Sequence, residues 1–218
     1  MIRPAFILLA LALLALTGCE LTPDLNDPVR FGPYYQPKNF AGDARLPSEI
    51  RRVLVLPVAA GDRAPEETAA SLDAIVATAL HAQQRFEVVA FTRAESLRLF
   101  GQREIASTAA LPHGMIEQLA SRYAVDAVLF IDLTVYQPYR PQSIGLRAKL
   151  ATVREVRIVW TFDEIISGAD PAVANSARRE ALKSKGLEPI DRSPATLLSP
   201  SHFAAFAAAE MFRTLPPR

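Results

Sequence analysis

The segment Val125–Val135 constrains the fold of this chain most strongly, because it is apolar on both faces. A strand with two apolar faces belongs at the centre of a sheet that is covered on both sides. Two later runs, Ile144–Leu150 and Val156–Phe162, alternate instead, and Arg147 and Lys149 lie opposite the apolar residues of the first run. We therefore predict a hairpin with one wet face beside the central strand.

Further strands and helices follow from the spacing of apolar residues. Short β-branched runs predict two more strands, at 52–58 and 86–91. Apolar residues at 3,4 spacing predict helices at 65–84, 114–123, 171–183 and 201–215. Thr92 and Glu95 form a capping box that opens one more short helix. This order predicts an α/β fold: a mixed sheet of about five strands flanked by helices, with Ile158 and Trp160 on the same inward face.

Composition limits the classes of site that the chain could carry. Its 218 residues are 50% hydrophobic, which fits one domain with a real core, and we place that domain at 48–218. A formal net charge of +1 gives no reason to expect a nucleic-acid surface. The single Cys and three His fit no metal-ligand spacing, so we expect no metal.

The amino terminus has the pattern of an export signal. Arg3 is followed by an unbroken apolar run, Ala5–Leu16, which is too short to span a bilayer as a permanent helix. Leu16, Thr17 and Gly18 come directly before Cys19, which is the only cysteine of the chain.

This prefix, residues 1–18 followed by Cys19, resembles a bacterial lipoprotein signal peptide with its lipobox. The resemblance implies cleavage before Cys19, a diacylglycerol on its sulfur and an N-acyl chain such as palmitate on its new amino group. An ordinary secretory signal with a chance cysteine is the alternative. Several acyl chains would hold the protein to the periplasmic face of a membrane. By the same resemblance, Glu20 in place of Asp after the cysteine favours the outer membrane over the inner one.

The segment 19–47 reads as an extended tether between the anchor and the domain. It has no helical or strand periodicity and carries prolines at 23, 28, 33, 37 and 47, which fix the backbone and remove donors. Four aromatic residues are unusual for a linker, and they would either pack back on the domain or dock on a partner: Phe31, Tyr34, Tyr35 and Phe40.

Three pieces of the sequence together resemble a known family. They are RVLVLPV at 52–58, LASRYAVDAVLFIDLTVY at 119–136 and the hairpin IGLRAKL…VRIVWTFDE. The chain is similar in them to the periplasmic α/β domain of CsgG-type lipoproteins, LpoB-type synthase activators and the amino-terminal domain of TolB. The resemblance implies a domain that assembles or regulates envelope machinery. Only residues 136–143 join the central strand to the next, which leaves no room for the membrane hairpins of CsgG.

No pattern of catalytic residues is present in the sequence. Asp126 and Asp132 are six residues apart on one strand, roughly 20 Å along an extended chain, which is too far for a glycosidase pair. We interpret each as a cap or a strand-end ion pair, with Arg147 as a partner for Asp132. We expect no enzyme activity and no cofactor beyond the acyl groups on Cys19.

The loop Tyr136–Pro141 is the candidate partner-binding element. It presents Tyr136, Tyr139 and Arg140, which are residue types enriched at interface hot spots, and its prolines limit its freedom. The alternative is an aromatic lid over one end of the core. Tyr34 and Tyr35 of the tether are the second candidate surface.

The sequence as a whole predicts a membrane-anchored, non-enzymatic adaptor or assembly factor for the cell envelope. Its partner would be an envelope protein or another copy of itself. One alternative is a self-assembling, CsgG-like ring subunit without the membrane barrel. Another is an enzyme that acts on an envelope glycan, which would need two carboxylates in one cleft.

Overall fold

The structure is a computed structural model, and it describes residues 31–185 and 199–218. The predicted signal peptide, Leu16, Thr17, Gly18, Cys19 and the first part of the tether lie outside the described residues. Its strands are β1 (Phe40–Gly42), β2 (Arg52–Val55), β3 (Glu87–Ala90), β4 (Ala127–Gln137), β5 (Ser143–Thr152) and β6 (Ile158–Ser167). Its helices are α1 (Glu66–His81), α2 (Arg93–Phe100), α3 (Met115–Tyr123), α4 (Pro171–Lys185) and α5 (Pro200–Arg213).

The six strands form one mixed sheet in the order β1-β6-β5-β4-β2-β3. β2 runs parallel to both β3 and β4, whereas β5 is antiparallel to β4 and to β6. The predicted hairpin is therefore confirmed, and β4 lies inside the sheet as its two apolar faces required. The predicted α/β class and the order of the elements from β2 to α5 are confirmed as well.

The two faces of the sheet are covered differently. One face carries the larger core, where Leu72 and Val76 of α1 and Phe212 of α5 pack against the sheet. On the other face, Met115 and Leu119 of α3 pack over β2 and β4. The same face of β5 and β6 carries Arg147, Lys149, Thr161, Asp163 and Ile165, which stay half-buried or exposed. The wet face that the alternation predicted is this part of the sheet.

The sheet has six strands rather than about five because the predicted tether contributes β1. Phe40, Ala41 and Gly42 pair with Phe162, Thr161 and Trp160 of β6. A three-residue edge strand is too short to give an alternating pattern, and the prolines around it indicated a linker instead.

The predicted facing of Ile158 was wrong. Leu150 lies opposite Trp160 but Ala151 lies opposite Ile158, so a register shift leaves Val159 as an extra residue in β6. Val159 is buried as a result and Ile158 is exposed. A β-bulge changes the phase of every residue beyond it, and simple alternation does not reveal it.

Candidate partner-binding surfaces

The loop between β4 and β5 begins later than the sequence predicted. β4 continues through Tyr136 and Gln137, which pair with Ile144 and Ser143 of β5, and the loop starts at Pro138. Tyr136 is only partly exposed and packs against the main core, and this burial raises the pKa of its hydroxyl. Tyr136 therefore covers one end of the core, which is the alternative to partner binding that the sequence also allowed.

Tyr139 and Arg140, by contrast, point into solvent, and 82% of Tyr139 is exposed. The loop beneath them is braced, because the buried Gln142 donates from Nε2 to the Pro138 carbonyl at 3.1 Å. Gly168 also donates its N–H to the Gln142 carbonyl at 2.8 Å. A braced loop loses little conformational entropy when a partner orders its exposed side chains.

The space behind this loop is a small apolar cavity. Tyr136, Pro138, Ile144 and Phe203 are among the residues that line it. It is no larger than one water molecule needs. The loop therefore closes one end of the core and offers its outer surface, rather than a pocket, for binding.

Tyr34 and Tyr35 pack back on the domain. The Tyr35 N–H donates to the Ala172 carbonyl at 3.2 Å and to Ser176 Oγ at 2.8 Å, both on α4. The guanidinium carbon of Arg179 lies 4.6 Å from the centre of the Tyr34 ring, a cation–π distance. Burial, followed by the charge of Glu164, raises the pKa of the Tyr35 hydroxyl.

The 138–141 loop and the tether residues Tyr34 and Tyr35 lie at the same end of the sheet. Ser143 of β5 pairs with Ser167 at the end of β6, and α4 begins at Pro171 shortly afterwards. Tyr35 binds the first turns of α4, while the 138–141 loop leads into β5. We call this end the tether end, because the segment 33–39 reaches the sheet here. Of the five candidates, Tyr139 and Arg140 are the exposed ones.

The carboxylates considered as catalytic candidates bind backbone amides. Asp126 Oδ2 accepts from the N–H groups of Arg51 and Arg52, each at 2.9 Å. Asp132 accepts from the Ser107 N–H at 2.8 Å and from Ser107 Oγ at 2.6 Å. Both are therefore caps for neighbouring chain segments.

The predicted register of Asp132 was right, but its predicted ion pair was not. Asp132 lies directly opposite Arg147, as the sequence suggested. The Arg147 guanidinium binds Asp163 on the other neighbouring strand instead, with Nε–Oδ2 at 2.8 Å. Each oxygen of the Asp132 carboxylate already accepts a hydrogen bond from Ser107, and the half-buried Asp163 binds the Arg147 guanidinium instead.

A buried charge network was not foreseen from the sequence. Arg93 donates to Asp73 at 2.7 Å, to Glu104 at 2.7 Å and to the Val58 carbonyl at 2.7 Å. Its side chain is only 10% exposed. These partners come from α1, the segment after α2 and the segment after β2, so only the folded chain brings them together.

The described residues form neither a metal site nor a membrane-spanning helix. Within 31–185 and 199–218, no three His, Cys, Asp or Glu side chains come together as a metal site. No described helix is both long and apolar enough to cross a bilayer.

Comparisons with known proteins give similarity to solved structures alone. No protein-family model matches the chain, and no curated protein matches it. A PelC dodecamer from Paraburkholderia phytofirmans is 14% identical, with 82% of this chain and 95% of that chain covered and a TM-score of 0.49. Lipoprotein GNA1162 from Neisseria meningitidis is 20% identical, with 55% of this chain and 85% of that chain covered and a TM-score of 0.40. The LpoB C-terminal domain from Salmonella enterica is 17% identical, with 54% of this chain and 82% of that chain covered and a TM-score of 0.35.

Proposed function

We propose that this chain is a lipid-anchored periplasmic protein that serves as a non-enzymatic adaptor or assembly factor for envelope machinery. The lipobox-like sequence around Cys19 supports the anchor, and Glu20 supports an outer-membrane destination. The proposal includes no cofactor beyond the acyl groups. The acyl chains would fix the position of the protein, and the segment after Cys19 would set its reach.

The observation that carries the adaptor role is the exposure of Tyr139 and Arg140 on a braced loop. Tyr and Arg are the residue types that dominate binding energy at interfaces. Their loop is held by Gln142 and Gly168, so a partner would meet a preformed surface. Tyr136 anchors the base of the loop in the core and contributes indirectly.

Photo-crosslinking in cells tests this role. The full-length protein would carry a photoreactive residue at position 139, with position 111 as the control because Leu111 is also exposed but lies outside the loop. We expect position 139 to crosslink to one foreign envelope protein and position 111 not to do so. Tyr139→Ala with Arg140→Ala should weaken that complex by roughly a hundredfold, as the loss of two hot-spot side chains does.

Two outcomes would contradict the adaptor role. Crosslinks from position 139 to other copies of this chain would favour the self-assembling subunit. Equal crosslinking from positions 139 and 111 would show that the loop has no specific part in binding.

A further inference from the structure

A band of arginines lies at the end of the sheet opposite the tether end. β2, β3, β4 and β6 begin there, and β5 ends there. We call this surface the arginine end, and its members are Arg45, Arg51, Arg52, Arg85, Arg122, Arg154, Arg157 and Arg218. Five carboxylates share it: Asp43, Glu49, Glu87, Asp126 and Glu155. Eight arginines lie beside five side-chain carboxylates, so positive side chains outnumber negative ones by three at this end.

Hydrogen bonds to backbone carbonyls join one side of the arginine end. Arg218 Nη2 donates to the Ile50 carbonyl at 2.6 Å, and its Nε donates to the Arg85 carbonyl. Arg45 Nη1 donates to the main-chain oxygen of Arg218, the last residue of the sequence, at 3.2 Å. The Ile50 and Arg85 carbonyls are neutral, so these two contacts hold the Arg218 guanidinium in place without neutralising its charge.

The other side is organised around Asp126. Its carboxylate accepts from the backbone of Arg51 and Arg52, and its carbonyl accepts from the Val153 N–H at 2.9 Å, beside Arg154. Arg52 also donates to the Tyr123 carbonyl at 3.0 Å, beside Arg122. The main-chain segments that carry Arg51, Arg52, Arg122 and Arg154 therefore lie close together around Asp126.

The carboxylates at this end leave several arginines without an ion pair. Glu87 pairs with Arg52 at 3.1 Å, and Asp43 pairs with Arg157 at 2.8 Å. Within the described part of the chain, no carboxylate pairs with the exposed side chains of Arg51, Arg122 or Arg154. These three are charges that an incoming acidic group would meet.

The turn between β5 and β6 adds apolar surface to the arginine end. Val156 is 57% exposed and Ile158 is 49% exposed, and they alternate with Arg157. Val156 has a φ of 49°, a conformation that a β-branched residue rarely adopts. Such strained positions cluster at functional sites. Apolar side chains with arginines around them have the composition of a protein–protein interface.

The place where the tether joins the domain favours a protein over a membrane as the occupant of the arginine end. Residues 35–39 bind α4 and β6 at the tether end, where Glu164 accepts from the Lys38 N–H at 2.9 Å. A chain that is anchored through Cys19 therefore approaches the sheet from the end opposite the arginines. The arginine end is therefore the end farther from the point where the anchored segment joins the domain, which favours an envelope protein as its occupant.

We propose that the arginine end is a second docking surface, which binds an acidic, partly apolar surface of another envelope protein. The proposal rests on the proposed function for the orientation of the domain, and it extends that function from one contact to two. An adaptor with docking surfaces at opposite ends of its sheet holds the Tyr139 partner and the acidic partner on opposite sides.

The test uses the full-length protein in cells, with a photoreactive residue at position 156. Arg51→Glu, Arg122→Glu and Arg154→Glu are combined, and the matched control combines Arg63→Glu, Arg98→Glu and Arg103→Glu, which are exposed arginines elsewhere. We expect a crosslink to an acidic segment of a foreign protein, reduced at least about tenfold by the first set and kept by the second. Raised salt should weaken it as well.

Several results would overturn the proposal. They are the absence of a crosslink from position 156, a crosslink to another copy of this chain, or equal loss with both sets of variants. Arginine-dependent binding of the purified protein to phosphatidylglycerol vesicles, without a protein crosslink, would assign this end to a membrane instead. Thermal unfolding and the crosslink from position 139 show whether the variants are folded, and they separate failure here from failure of the adaptor role.

Discussion

At the scale of single residues, Arg93 joins three other segments of the chain through one guanidinium. Its side chain is 10% exposed and binds two carboxylates, Asp73 and Glu104, which are 28% and 25% exposed, as well as the Val58 carbonyl. Val58 also donates its N–H to Asp73 Oδ1 at 2.7 Å, so the network fixes the chain where it leaves β2. A buried ion pair adds modest net stability, but removal of one partner leaves uncompensated charges.

We therefore predict that Arg93→Met lowers the free energy of unfolding by about 3 kcal/mol. Asp73 and Glu104 would each lose the hydrogen bond that they accept from the Arg93 guanidinium. The control is Arg103→Met, because Arg103 pairs with Glu66 on the surface and such pairs contribute about 1 kcal/mol or less. Urea unfolding measures both. Equal effects of the two substitutions would show that Arg93 acts as a surface residue.

Some features of single residues can be predicted from the sequence, and others cannot. The caps formed by Asp126 and Asp132 were one of the interpretations that the sequence allowed, because each carboxylate interrupts an apolar strand. The Arg93 network was not predictable, since Asp73 and Glu104 come from segments that meet only in the fold. The exposure of Tyr139 follows from its place between two prolines, whereas the burial of Tyr136 depends on how far β4 continues.

At the scale of elements, the capping box of α2 is the most exact agreement between sequence and structure. Thr92 accepts from the Glu95 N–H at 3.1 Å, and Glu95 accepts from the Thr92 N–H at 2.9 Å. The backbone and hydroxyl of Thr92 lower the pKa of Glu95. The stabilisation by its charge is therefore complete above the ordinary glutamate pKa of 4.5 and is lost as the pH falls through the lowered pKa.

Glu95→Ala should lower the free energy of unfolding by about 0.5 kcal/mol at neutral pH. The difference from the unaltered protein should shrink as the pH falls below 4.5. Glu49→Ala is the control, because Glu49 is exposed and lies in no helix. Thermal unfolding at a series of pH values gives the comparison. A difference that grows toward acid pH would contradict the assigned direction of the pKa shift.

The elements that the sequence predicted well are those with long, regular patterns. β4, β5 and the helices have regular apolar repeats, and such repeats indicate the type of secondary structure without information from distant segments. β1 was missed because three residues beside prolines carry no pattern, and its pairing depends on β6, which is more than a hundred residues away. The facing of Ile158 was missed because the bulge in β6 is a property of the paired strands.

At the scale of the whole molecule, we propose a lipid anchor joined to a domain that has two docking surfaces. The tether end carries the docked aromatics and the Tyr139 loop, and the opposite end carries the arginines. The class of fold and the anchor were both predicted from the sequence alone, because periodicity and the Cys19 context are local. The structure confirms the class of fold, and the anchor stays a prediction. It did not reveal the arginine end, whose members are spread from Arg45 to Arg218 and meet only through the sheet.

The lipid on Cys19 is the central claim, since both docking proposals depend on where the protein is held. The direct measurement is the intact mass of the protein from its native membrane, compared with Cys19→Ser. We predict that residues 1–18 are absent and that Cys19, now the first residue, carries a diacylglycerol and an N-acyl chain. Cys19→Ser should lack both lipids and leave the washed membrane fraction. A mature protein with a free thiol at Cys19, recovered outside the membrane, would contradict the account.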